Sequence, residues 1–281
     1  MSMKNRHVLG EAVRHLILII LALYTLAPLL FLFVNAFKSN NEIIASPVAL
    51  PEHWTLQYIK TAMEAINFGK ALGLTFTITF FSILLLVIVS SFAAWAMVRS
   101  KTILSNIVFL CFTAAMLVPF QSLMYPLLSV FEKMGLKNVQ GLILMYGGFG
   151  LSMSVFLYHG FIKSVPASLE EAAVLDGANL FQMFFKVVFP LLKGTTVTVI
   201  VLNGMWIWND YLLPFLVNGN KTGSKTLTLE LYFAKLTSGQ YGNPWELIFP
   251  AVFVTIIPII ILYIFLQKYI VAGVSEGAVK M

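Results

Sequence analysis

SLEEAAVLDGANLFQMFFKVVFP, residues Ser168–Pro190, gathers Glu170, Glu171 and Asp176 within seven positions of an otherwise strongly apolar chain. Pro166 suits the first turn of a helix, where its missing N–H is no loss. Ser168 followed three residues later by Glu171 matches a capping box, with each side chain satisfying a free backbone N–H of the other. Leu169, Ala172 and Ala173 form a small apolar face at helical spacing, and the alanine pair lets another backbone approach closely. Gly177 offers a left-handed stop. A second helix is predicted from Asn179 as cap with Gln182 three residues on. It carries Leu180, Phe181, Met183, Phe184 and Phe185 and is expected to end before Pro190.

The surrounding chain sets the environment of this helix–glycine–helix unit. Of 281 residues, 59% are hydrophobic and 11% charged, with a mean hydropathy of +0.88. Soluble domains carry about 25% charged residues. The composition implies an all-α polytopic membrane protein in contact with lipid. Cys111 is the single cysteine, which excludes an internal disulfide framework. The net charge of +6 has no basic run with interleaved aromatics behind it, so the excess suits membrane flanks and not nucleic acid.

Six apolar segments reach the roughly 20 residues that cross a bilayer core: Leu16–Ala36, Leu72–Val98, Ile107–Val130, Gly141–Ile162, Thr195–Val217 and Leu247–Leu266. The first follows Lys4, Arg6 and Arg14, and Val34-Asn35-Ala36 mimics a cleavage site. Its apolar run exceeds the roughly 7–15 residues of a signal core, so it is expected to be retained. Lysine and arginine divide almost evenly between the two sides. The basic N-terminus and the Arg99/Lys101 pair in a very short loop decide the topology, because short loops near span ends carry the bias. Both termini, and the loop 163–194 that holds the opening stretch, are then expected in the cytoplasm. The long outer loops, Phe37–Ala71 and Asn218–Glu246, keep Pro47, Pro51, Trp54, Tyr58, Tyr232, Tyr241, Pro244 and Trp245. Such loops are candidate contact surfaces for a partner, while Trp54 and Trp245 individually suit interfacial anchoring.

An interfacial amphipathic helix without a protein partner usually shows lysine or arginine on its polar face, to suit anionic lipid. Here the polar face carries Glu170, Glu171 and Asp176, which a docking protein explains better. Glu171-Ala172-Ala173, three residues, Gly177, nine residues and Val187-Val188-Phe189-Pro190 together resemble the EAA loop of bacterial ABC importer permeases. That pattern reads EAA, three residues, G, nine residues, I-x-L-P, so Val187 and Phe189 depart from it conservatively. Trp208-Asn209-Asp210-Tyr211-Leu212-Leu213-Pro214 is similar to the W-N-[ED]-[FY] segment of maltose-type carbohydrate importers. Thr226-Leu227-Thr228-Leu229 resembles their T-L-P-L, with Thr228 in place of proline. The ending Gln267-Lys268-Tyr269, then Gly277-Ala278-Val279-Lys280-Met281, resembles the tail of the second permease subunit of that family. The resemblance covers nearly the whole chain.

It implies one transmembrane domain over 1–281, with a coupling loop at 163–194 and a tail at 275–281. The short helix would seat in a cleft of a cytoplasmic ATPase. Glu170, Glu171, Ala172, Ala173, Asp176 and Gly177 are its candidate coupling residues, Glu171 supplying the charge-assisted contact. Gly277 and Lys280 of the tail reach the ATPase by analogy, a solvated terminus being the alternative. Implied partners are a homologous second permease, two ATPase subunits and an extracytoplasmic sugar-binding protein in a bacterial cell membrane. ATP and Mg would be bound by the ATPases and no cofactor by this chain.

Asp210 is the acid placed within or at the outer end of a span, and an ionisable residue there is a functional candidate. With Asn209 and Trp206 it could line a polar path for sugar hydroxyls; the rival and slightly favoured reading is a structural or gating role, Asp210 capping an unwound piece of helix. Pro119, Gln121 and Pro126 predict an irregular third span, and Gly147-Gly148-Phe149-Gly150 a close-packing or bending point in the fourth, core packing being the commoner cause. Gly219–Thr226 superficially resembles a phosphate-binding loop, but Ser224 stands where that motif needs glycine before Lys225. A secondary transporter or channel acting alone would show intramembrane ionisable relays or paired half-repeats. A membrane enzyme would need metal-ligand spacing, which His7, His15, His53 and His159 lack.

Overall fold

Pro119 and Asp210 divide two of the expected spans. In the computed structural model, which describes residues 3–219, 224–238 and 243–278, the elements are α1 (Met3–Asn35), α2 (Asn40–Ala45), α3 (Gln57–Ala65), α4 (Phe68–Ser100), α5 (Ile103–Ala115), α6 (Phe120–Lys133) and α7 (Val139–Ile162). There follow α8 (Ser168–Leu175), α9 (Leu180–Gln182), a π-helical turn (Met183–Val188), α10 (Phe189–Leu191), α11 (Lys193–Asn209), α12 (Leu212–Asn218), α13 (Leu227–Ser238) and α14 (Trp245–Ala278). Among the described residues no strand occurs. Four helices are long and apolar enough to cross a membrane, or six if each of two bent pairs is one span. The fold is all-α and multi-span, as the hydropathy predicts.

The third expected span, Ile107–Val130, is not one straight crossing. α5 and α6 meet at 107°, with Pro119 as the N-cap of α6 at φ −68° and ψ 138°. Proline disfavours helix in the residue before it, and Leu117 and Val118 close the turn by bonding to Ala114 and Ala115 carbonyls at 3.0 and 3.2 Å. Pro126 lies inside α6 without ending it. The fifth expected span, Thr195–Val217, likewise stops at Asp210, whose backbone is extended at ψ 130°, and resumes as α12. The two loops are also more ordered than their length suggests, holding α2, α3 and α13.

The chain divides into two compact units, Met1–Phe68 with Glu230–Ile257 and Gly69–Leu229 with Pro258–Met281. In the first, α1 exposes apolar side chains along most of its length, from Val13 through Phe33, which suits lipid or another protein and not water. The core of this unit is Ala62, Ile66, Ala251 and Val254. Glu42 closes a capping box on Ser39 at the start of α2. Asn40 then ties α2 to α14: its N–H donates to Glu246 and its side chain accepts from the Trp245 N–H, at 3.0 and 3.1 Å. Lys38 is buried and donates to the Ser46 and Pro47 carbonyls. Burial lowers its affinity for the proton, with Glu42 opposing the shift.

In the second unit, α7 packs between α4 and α11. One core joins Val87, Ala94 and Trp95 to Val155, Tyr158, Ile162, Phe184 and Val188. The other joins Ile78 and Leu86 to Leu142, Met145, Tyr146, Ile207, Leu213 and Val217. Gly150 makes the approach possible: a Cβ there would lie 2.6 Å from both Asn203 Oδ1 and Leu86 Cδ1. Asn203, buried beside it, donates to Ser154 Oγ and the Val199 carbonyl, so the close-packed polar groups are paired.

Candidate coupling site and helix break

α8 is entered through a helical residue. Ala167, at φ −64° and ψ −25°, is its N-cap and makes no side-chain bond. The capping box predicted from Ser168 and Glu171 is therefore not formed, because Ser168 is already inside the helix and no longer precedes the free N–H groups. The C-terminal reading holds. Gly177 has φ +81°, its N–H donates to Val174 and the Ala178 N–H to Ala173, both at 3.0 Å. This is the double bond of a Schellman stop, which the left-handed glycine makes possible. The second capping box, Asn179 with Gln182, is present.

The second helix does not end before Pro190. It widens into the π turn, in which the Phe189 N–H reaches the Phe184 carbonyl, and passes through Pro190 to Leu191. The wider turn leaves room for a ring that would clash with the carbonyl one α-turn back. The bend of 77° comes at Leu192, before α11.

Glu170 and Glu171 have opposite surroundings. Glu170 is 8% exposed. Its Oε2 accepts from Trp95 Nε1 at 3.0 Å and its Oε1 from Arg99 Nε at 2.9 Å, with Arg99 Nη2 in ion-pair contact with Oε1 at 2.7 Å. Arg99 Nη2 also donates to the Val165 carbonyl at 2.9 Å. Glu171, Ala172, Val174, Leu175 and Asp176 are exposed, whereas Ala173 is buried. The outward face thus carries Glu171, Asp176 and an apolar edge, while Glu170 and Glu171, in the first turn, suit the positive dipole end of α8. Sequence reading missed the partners of Glu170. Trp95 and Arg99 stand one turn apart on α4, a spacing that puts them on one face, but Arg99 reads there only as a topology charge.

At the other candidate site, Asp210 bridges the break between α11 and α12. Its Oδ1 accepts from the Leu212 N–H at 2.9 Å, and its Oδ2 from the Leu213 N–H at 3.4 Å and Tyr146 Oη at 2.8 Å. Thr228 Oγ1 donates to the Asp210 carbonyl at 2.8 Å. Thr75 donates to Ala71 and accepts from the Leu227 N–H, so the Thr226–Leu229 segment is fixed to α4. Trp206 packs edge-on against Tyr146 at 5.5 Å. Asn209 is exposed and its amide donates to the Met205 carbonyl of its own helix. Tyr146 carried no signal in the sequence and Thr228 only that of a replaced proline; the fold alone brings them to Asp210. Gly277 lies in α14; Lys280, and residues 220–223 of the Gly219–Thr226 stretch, lie outside the described residues.

Comparison with known proteins places this geometry in context. Residues 86–276 match the family described as "Binding-protein-dependent transport system inner membrane component". The chain is 42% identical over 262 residues to the probable starch degradation products transport system permease protein AmyC of Thermoanaerobacterium thermosulfurigenes, covering 93% of this chain and 94% of that protein. It is 34% identical to the multiple sugar-binding transport system permease protein MsmG of Streptococcus mutans, over 99% of this chain and 100% of that one. With the melibiose/raffinose/stachyose import permease protein MelC of Bacillus subtilis it shares 33% identity over 90% of this chain and 91% of MelC. A crystal structure of a bacterial ABC transporter involved in the import of the acidic polysaccharide alginate superposes with a TM-score of 0.80 at 23% identity, covering 96% of this chain and 98% of that chain; at that identity the likeness is one of fold. With relatives matched along nearly their whole length, the chain belongs to the binding-protein-dependent transport system inner membrane component family.

Proposed function

We propose that this chain is a permease subunit of a bacterial ABC importer that carries a sugar or oligosaccharide inward by alternating access. The observation that carries the sugar assignment is the end-to-end similarity to AmyC, MsmG and MelC, whose names specify starch degradation products, multiple sugars, and melibiose, raffinose and stachyose. The chain works with a homologous second permease, two cytoplasmic ATPase subunits and an extracytoplasmic sugar-binding protein. ATP and Mg are held by the ATPases. Both termini and the loop containing α8 lie in the cytoplasm, which the basic N-terminus and the Arg99/Lys101 pair support.

α8 is the coupling helix in this reading. Its exposed face offers Glu171 for a charge-assisted contact, Ala172, Val174 and Leu175 for an apolar cleft, and Asp176 at the rim. Gly177 joins it to the following helix through the tight stop described above. The ATPases close on ATP, and α8 passes that movement to the membrane helices. Asp210, with Trp206 and Asn209 near it, serves the break at the end of α11 as a gate element. The tail from Ser275 to Met281, with Gly277 and Lys280, extends the ATPase contact.

The test is reconstitution with the partner permease, ATPase and binding protein. Binding-protein-stimulated ATP hydrolysis is compared for the natural sequence and Glu171→Lys. Stimulation in the former and detachment or uncoupling in the latter is expected. A Glu171→Lys assembly that forms and hydrolyses ATP normally would reject α8 as the coupling helix.

A further inference from the structure

Two side chains of α4, Trp95 and Arg99, end on one buried carboxylate of α8, Glu170, and engage both of its oxygens. A buried ion pair is weak evidence of stabilisation, since apolar replacements of similar volume often do as well. What the arginine–carboxylate pair adds here is direction, with Nε and Nη2 of Arg99 converging on the single oxygen Oε1. Here the same guanidinium also holds the Val165 carbonyl, so it grips the turn before α8 and the first turn of α8 together. Rotation of α8 about Ala167 would pull Glu170 from a guanidinium that Val165 keeps in place. Trp95 and Phe92 also pack on Phe184 of the π turn, at centroid distances of 5.3 and 5.0 Å, which fixes the segment after Gly177 to the same helix.

α4 is a helix of 33 residues without an internal proline. Near its other end, Thr75 holds the Leu227 N–H, beside Thr228, which bonds to the Asp210 carbonyl. At about 1.5 Å per residue, Thr75 and Arg99 stand roughly 36 Å apart along this one rod. Rigid secondary elements of this kind, with the packed side chains and polar networks at their ends, carry coupling between distant sites.

We propose that the Trp95–Arg99–Glu170 cluster is the tie by which displacement of α8 moves α4, and through α4 the Thr226–Leu229 segment at the Asp210 break. This rests on the reading of α8 as the ATPase-coupling helix. Arg99 and Glu170 are positioning residues: Glu171 meets the partner, and Glu170 passes the movement inward.

The experiment uses the reconstituted assembly and measures ATPase co-purification, ATP hydrolysis and sugar uptake per ATP. In Arg99→Gln, Glu170→Gln and the double variant, which leaves no lone buried charge, the ATPase stays bound and hydrolysis holds within about twofold, while uptake per ATP falls about tenfold. Arg99→Lys, which keeps the charge, restores part of it. Unchanged uptake per ATP in the double variant overturns the tie, and so does loss of the ATPase, which would place Glu170 in the docking contact itself. A second measurement does not depend on how these variants fold. Spin labels at Leu169 of α8 and Phe81 of α4, both exposed, are introduced as cysteines in a Cys111→Ser background. Their separation is expected to stay constant between nucleotide-free and ATP-bound assemblies; a shift shows that α8 moves without α4 and overturns the proposal. Normal coupling in Glu171→Lys rejects the coupling-helix reading, whereas uncoupling there with an unchanged double variant rejects only the tie.

Discussion

Tyr146 on α7 donates its hydroxyl to Asp210 Oδ2 over 2.8 Å at the point where the backbone leaves α11. The same carboxylate caps the free N–H groups of α12, so one acid both restarts a helix and ties it to a neighbouring span. Irregular backbone inside a span is tolerated only where its polar groups are met by protein or by a water-filled cavity. Asp210 supplies those partners through its side chain, and Thr228 satisfies its carbonyl. Proline at position 228 would lack the hydroxyl that makes this last bond.

Asp210→Ala is therefore expected to lower stability by about 1–2 kcal/mol through loss of the cap, with an added cost from the stranded Tyr146 hydroxyl. Asp210→Asn keeps an oxygen for the Leu212 N–H and is expected to lose less. Thermal unfolding of the detergent-solubilised protein checks the order. Equal midpoints for the alanine variant and the natural sequence would remove the capping role.

The sequence makes the class of fold legible and marks its breaks by residue type, Pro119 in one span and Asp210 in another, but not by hydropathy. Mean hydropathy reveals where apolar residues run, but Ile107–Val130 and Thr195–Val217 are apolar on both sides of their breaks, so a window average passes straight through Pro119 and Asp210. Gly177 was readable because a glycine after a short periodic run has few other uses. Ser168 misled because a capping box requires the chain to enter the helix from an extended residue, and Ala167 is helical. At the candidate site, Glu170 and Glu171 are adjacent letters of the same type. Only the α4 residues that approach α8 decide that one turns inward and the other outward.

The Gly147–Gly150 run separates into positions that need glycine and one that does not. A Cβ on Gly150 would sit 2.6 Å from Asn203 Oδ1 and Leu86 Cδ1, whereas one on Gly148 meets nothing within 4 Å. Gly150→Ala is expected to cost about 1–3 kcal/mol through overpacking, and Gly148→Ala to be close to neutral. Parallel unfolding curves of the two variants decide it. Equal behaviour would mean that Leu86 and Asn203 yield without cost.

Gly177→Ala tests the turn between α8 and α9. With φ at +81°, a Cβ is expected to cost about 1–2 kcal/mol, and nothing lies within 4 Å of it, so the penalty is one of backbone conformation alone. Hydrogen exchange of the Gly177 and Ala178 amides, which close the stop, is expected to accelerate in Gly177→Ala while the α7 amides keep their rates. Unchanged exchange would show that the left-handed conformation is dispensable.

Glu42 gives a dependence on pH in the segment after α1. The Ser39 hydroxyl and N–H, followed by the Glu52 N–H, hold its carboxylate below the usual range, at 2.7, 2.8 and 3.0 Å. A group whose pKa is lower in the folded than in the unfolded chain contributes stability above the unfolded value and loses it as pH falls through the folded one. Protection of the Ser39 and Glu52 amides, corrected for intrinsic exchange, should thus be level from neutral pH down to the ordinary carboxylate range and fall only below it. Glu42→Ala should abolish that protection at every pH and flatten the profile. Protection that begins to fall well above the ordinary carboxylate range would assign the transition to another group.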